Sequence, residues 1–144
     1  MNSGLRDWLL GGLLLVLLAA CSSQQDEYSK SQTYLFLESM KQVETGGRQL
    51  RSAGLDHDSL SQALAMLDQG LELAFQVERK FLDALDLRLG KNYHRYFIKG
   101  VENYRLGIEA GDQAQQIEGL RLLRQWADFW GAEQSAIRNK LDPG

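Results

Sequence analysis

Cysteine occurs once in this chain of 144 residues, proline once and histidine twice, and each scarcity closes off a class of explanation. With Cys21 alone, no disulfide can form within the chain. Zinc sites draw on sets of Cys and His, and no such set is in view. No segment alternates apolar and polar residues in the manner of a half-buried strand. Pro143, the only proline, follows the last helical stripe. A formal net charge of −3 lacks the basic excess that a nucleic-acid partner requires. The longest apolar run, Trp8 to Leu18, is much shorter than the roughly 20 residues that cross about 30 Å of hydrocarbon, so it does not read as a membrane span.

That run reads as the apolar centre of a signal peptide. It follows Arg6 and a free amino terminus, and it ends in Leu18-Ala19-Ala20-Cys21, with Ser22, Ser23, Gln24 and Gln25 directly after. This arrangement resembles the lipobox of bacterial lipoproteins. The resemblance implies removal of residues 1–20, a diacylglycerol and an N-acyl chain on Cys21, and no other cofactor. It also accounts for an unpaired cysteine in an exported protein. Two or three acyl chains, each contributing about 0.8 kcal/mol per buried CH₂, make a stable anchor. In that family an Asp after the cysteine retains the protein in the inner membrane. Ser22 stands there instead, which implies the periplasmic leaflet of the outer membrane, with the inner membrane as the alternative.

Residues Ser22 to Gln32 are polar and aperiodic, so residues 21–32 are expected to form the lipidated cysteine and a flexible tether, with 33–144 a single domain. From Thr33 onward apolar residues recur at helical spacing. Tyr34, Leu37, Met40, Val43 and Leu50 mark a first helix, with Gly46 and Gly47 at a kink or a close approach of another backbone. Leu60, Leu64, Leu67, Leu71, Ala74, Phe81 and Leu85 mark a long second one. Asp58 or Ser59 is its expected N-cap, with Gln62 at capping-box spacing, and Gly90 its C-terminal stop. The third starts after Asn92 and turns Tyr93, Phe97, Val101, Tyr104 and Ile108 inward, with Gly100 and Gly107 permitting close packing. The fourth starts at Asp112, with Gln115 three residues on, and turns Ile117, Leu120, Leu123, Ala127 and Trp130 inward. The expected fold is all-α, a four-helix antiparallel bundle. Tyr96 to Tyr104 and Tyr104 to Asp112 echo a tetratricopeptide repeat but do not hold its 34-residue period.

Four constellations carry candidate chemistry. Lys91, Tyr93, His94, Arg95 and Tyr96, with Phe97 and Lys99, mix cations and aromatics at a helix start, where free N–H groups and Lys91, His94 and Arg95 could hold an anionic group. Equally, the aromatics could pack inward while the cations face water. Asp56-His57-Asp58 resembles a fragment of a metal site, but adjacent loop residues seldom converge on one ion. Glu72, Glu78, Asp83, Asp86, Glu102 and Glu109 supply carboxylates without evidence of a cleft. Glu78 and Arg88 fall in the second helix's seam, so one of them is expected either in a structural ion pair with a partner or at the rim. Trp126, Phe129 and Trp130 form either core or the floor of a groove for a partner's helix.

No catalytic signature emerges. With the anchor that the lipobox resemblance implies, elimination leaves the expectation of a noncatalytic, membrane-anchored lipoprotein that binds an envelope protein as adaptor, assembly factor or regulator. In outline it is similar to the helical pilotins that escort secretin subunits by gripping a partner helix, though no motif matches residue by residue and the internal disulfide associated with them is absent. The alternative is a cell-wall or lipid ligand-binding protein, or a small hydrolase, built on the Lys91–Lys99 region. A homo-oligomeric subunit is a third possibility.

Overall fold

The computed structural model describes residues 4–54 and 56–141, with side chains from Ser23 onward, so the side chain of Cys21 lies outside the described residues. The described backbone is all-helical, with no strand. It comprises α1 (Gly4–Ala53), α2 (His57–Gln76), α3 (Arg79–Leu85), α4 (Leu89–Asn92), a π-helical stretch (Tyr93–Ile98), α5 (Lys99–Ala110) and α6 (Gln113–Leu141). Among the described residues no helix is long and apolar enough to cross a membrane.

Two antiparallel hairpins frame the fold, each closed by a glycine in the left-handed region and an aspartate cap. Gly54 (φ 57°) ends α1, and the carboxylate of Asp56 accepts from Ser59 N at 2.9 Å to start α2. The expected cap at Asp58 or Ser59 thus belongs to Asp56, and hydrogen bonding from the Ser59 side chain and then its backbone N–H holds the Asp56 carboxyl below the usual range. Gly111 (φ 66°) ends α5, and Asp112 caps α6 through Gln115 N at 3.0 Å, as the sequence spacing anticipates. Within each hairpin, small residues bring the backbones together. A β-carbon on Gly70 would lie 3.1 Å from Ser39 O, and one on Gly46 3.0 Å from Ala63 O. In the second hairpin Gly107 meets Gln116 and Gly100 meets Leu123. An ion pair from Arg105 to Asp68 at 2.8 Å ties α5 to α2.

The long second helix of the sequence reading is divided. Val77 (ψ 119°) and Glu78 (ψ 130°) are extended, which separates α2 from α3 and lets Val77, Phe81 and Leu82 all bury. The interruption frees backbone groups, and one buried side chain satisfies two of them. Gln32 Oε1 accepts from Glu78 N at 2.7 Å, and Gln32 Nε2 donates to Gln76 O at 3.5 Å. Gln32 is only 6 % exposed. Residues 23–32, expected to form a tether, are a helical part of α1, and Tyr28 lies beneath Lys80 at 5.1 Å. Glu78 and Arg88 each enter an ion pair, as expected of a structural or rim position. Glu78 bonds Lys80 at 2.8 Å, while Arg88 reaches Asp86 at 3.3 Å and Glu133 at 2.8 Å. Gly90, expected as a helix stop, is instead buried within α4.

The fourth stripe is shifted in phase from the one read in the sequence. Ile117 is 60 % exposed and Leu120 49 %, while Gly119, Leu122, Trp126 and Ile137 are buried. Gly119 sets this phase, because α6 crosses α5 where a β-carbon would lie 2.7 Å from Tyr104 Cα. Tyr34, likewise expected inward, is 62 % exposed, and α1 buries Phe36, Ser39 and Val43 instead.

Candidate partner-binding groove

The helical spacing of two apolar stripes and an aromatic cluster beneath them build a groove between α1 and α6. The cluster begins with the π-helical stretch. Backbone bonds that span five residues instead of four, as from Lys99 N to His94 O, widen the turn and place Phe97 and Ile98 together in the core. Tyr93 stacks on Phe97 at 5.0 Å between ring centroids and meets Phe36 edge-on at 5.3 Å and Trp126 at 5.6 Å. Trp126 stacks on Trp130 at 5.7 Å with 14° between planes. Offset and edge-on pairs of this kind add about 0.5–1.5 kcal/mol each beyond their burial.

A buried hydroxyl pair pins the cluster to α1. Ser39 Oγ donates to Phe36 O at 2.7 Å, and since it has one proton, Tyr93 OH donates to Ser39 Oγ at 2.6 Å. Burial pushes the Tyr93 phenol well above its ordinary value, with the Ser39 bond opposing, so it stays a neutral donor.

On this base sits an open groove of about 530 Å³. Leu37, Met40, Lys41, Val43 and Glu44 form its α1 wall, Leu123, Trp126, Ala127, Trp130 and Arg138 its α6 wall, and Phe97 part of its floor. Leu37 and Arg138 also border a second opening, with Thr33, Asn139 and Leu141. The α1 wall from Thr33 to Glu44 is about 16 Å long at roughly 1.5 Å per residue, and the α6 wall from Leu123 to Leu141 about 27 Å. Leu37, Met40, Leu123 and Trp130 remain partly exposed along it. A trough of helical length with apolar walls is the shape that receives an amphipathic helix.

The rim charges are not equivalent. Lys41 bonds Glu38 at 3.3 Å and Glu44 bonds Arg48 at 2.8 Å, so both are matched within α1. Arg138 lies over Trp130, 5.7 Å from the ring centroid, and makes no ion pair among the described residues.

The sequence-derived candidates separate into groups. Tyr93, Trp126 and Trp130 come together in the groove's base and walls. Lys91 and Arg95 are exposed on the far side of the same helical stretch, Arg95 over Tyr96 at 5.5 Å, and Tyr96 is half-buried. No helix starts at Asn92, since Tyr93 N bonds the carbonyls of Gly90 and Leu89, so the free N–H groups expected there are already engaged. Lys99 bonds Glu102 at 2.7 Å and Arg105 bonds Glu109 at 2.7 Å. His94 faces α3 instead. Burial, reinforced by the charge of Arg79 and opposed by Asp83, lowers its pKa from the ordinary value.

Sequence reasoning missed Arg138, Gln32 and Ser39. Arg138 carries a faint signal, since it lies eight residues after Trp130 and so on nearly the same face of an α-helix. Gln32 and Ser39 carry none, because a buried polar residue is legible only once its partner is known. Compared with protein-family models, curated proteins and solved structures, the chain matches none of them.

Proposed function

We propose that this chain is a noncatalytic lipoprotein of the bacterial envelope, anchored through acyl chains on Cys21, that receives a helix of a protein partner in the groove between α1 and α6. It serves as an adaptor, assembly factor or regulator at the membrane, on the periplasmic side of the outer membrane. The groove is the observation that carries this reading: aromatic at its base, apolar on both walls and open along its length. Its base is fixed by the Ser39–Tyr93 bond and the stacked rings, so binding orders little that is not already ordered, which favours affinity.

Two measurements test the two halves separately. Metabolic labelling with an alkynyl fatty acid should mark the wild type and not Cys21→Ala, and the variant should leave the membrane fraction. Equal labelling of both would remove the anchor. A photo-crosslinking residue placed at Ala127 in intact cells should give one defined adduct, while the same residue at Gln69, outside the groove, should not. Identical adducts from both positions would remove the groove as the binding surface.

A further inference from the structure

Resting on the groove as the partner site, we infer that the bound helix carries a carboxylate at the edge of its apolar face and places it against Arg138. Three observations converge on this. Arg138 is the one rim charge without an oppositely charged partner among the described residues, whereas Lys41 and Glu44 are each satisfied on α1. It stands where the groove and the second opening meet, so a helix running along both passes it. Its guanidinium lies over Trp130 on an exposed side chain, accessible to a planar bidentate acceptor. An apolar stripe supplies the affinity, and the carboxylate fixes which helices fit and in which register.

The partner's chemistry is therefore an amphipathic helix of about four turns, its leucine-like residues spaced i, i+3, i+4 and i+7, with a Glu or Asp flanking the stripe. A helix with Lys in that place meets Arg138 with like charge and is disfavoured. A fatty-acyl ligand with an anionic head satisfies the same arginine, and the test separates the two.

The probes are two fluorescein-labelled 16-residue helical peptides with the same leucine stripe and flanking Glu or Lys, titrated by anisotropy into the full chain in phosphatidylcholine nanodiscs. Asp142 is replaced by Asn throughout, so that the carboxylate four residues after Arg138 does not contribute. The Glu peptide should bind about tenfold tighter than the Lys peptide, the difference expected of one attractive and one repulsive part-exposed contact. Arg138→Gln should abolish that preference and Arg138→Glu reverse it, while Ala127→Arg should block both peptides. Equal binding of both peptides that Ala127→Arg still blocks would keep the groove and overturn the role of Arg138. Binding of neither peptide, or binding indifferent to Ala127→Arg, would overturn the groove reading itself. Displacement of the Glu peptide by palmitate but not by unlabelled Glu peptide would make the site a lipid site and overturn the inference.

Discussion

Two glycines of one helix should respond to the same substitution with opposite sign. Gly119 and Gly131 both lie inside α6, where alanine is favoured over glycine by about 1 kcal/mol on backbone grounds alone. A β-carbon at Gly131 meets nothing within 4 Å, so Gly131→Ala should stabilise by about 0.5–1 kcal/mol. At Gly119 the same atom would lie 2.7 Å from Tyr104 Cα and 2.8 Å from Gly100 O, and would strike Tyr104 N. These are backbone atoms, and no rotamer change relieves them. The helices must separate, which costs about 1–3 kcal/mol as overpacking and disturbs the burial of Leu122 beside the crossing. Overpacking exceeds the propensity gain, so Gly119→Ala should destabilise by about 1–2 kcal/mol. Urea unfolding followed by tryptophan fluorescence measures both variants, since Trp126 and Trp130 lie in the adjoining cluster. If Gly119→Ala proved as stable as Gly131→Ala, the close crossing that sets the phase of α6 would be wrong.

Other outcomes follow from the same contacts. Gln32→Ala should cost about 1–2 kcal/mol by stranding Glu78 N and Gln76 O, and hydrogen exchange should quicken at residues 76–80 while Gly111–Gln115 is unaffected; unchanged exchange at 76–80 would refute the role of Gln32. A chain beginning at Thr33 should show the same loss. Tyr93→Phe should cost about 1 kcal/mol, one hydrogen bond, and Tyr93→Ala about 3–5 kcal/mol with loss of near-ultraviolet circular dichroism; a Tyr93→Phe variant as stable as the wild type would mean the bond to Ser39 does not form. His94 is held below its ordinary pKa of about 6.5, so the unfolded chain binds the extra proton. Its stabilising effect is whole above that value and falls away as pH drops toward the folded one. Denaturant midpoints between pH 7 and pH 5 should therefore fall in the wild type and stay flatter in His94→Gln.

The stripes and cap spacings of the sequence sufficed for the all-helical class and the cap at Asp112, because these are local properties of spacing and turn chemistry. They misplaced what is decided across the fold. Val77 and Glu78 carry neither glycine nor proline, and the interruption there depends on Gln32, far away in the chain. Ile117 and Leu120 look inward by hydropathy, yet Gly119 faces α5, because an absent side chain decides the closest approach. Tyr93, Trp126 and Trp130 were legible as aromatics of helical spacing. That they underlie a groove depends on how far α1 stands from α6, a distance that no single-helix pattern encodes.

The α1 wall of the groove lies within an uninterrupted helix. From Ser23 to Leu37 the helix rises about 21 Å at roughly 1.5 Å per residue, with no hinge between them. Leu37 and Met40 are therefore held on the same continuous helix as the residues at its near end. Gln32, clasping the gap between α2 and α3, ties that helix to the junction of the two. The wall of the groove and the segment that follows Cys21 are thus parts of one rigid element.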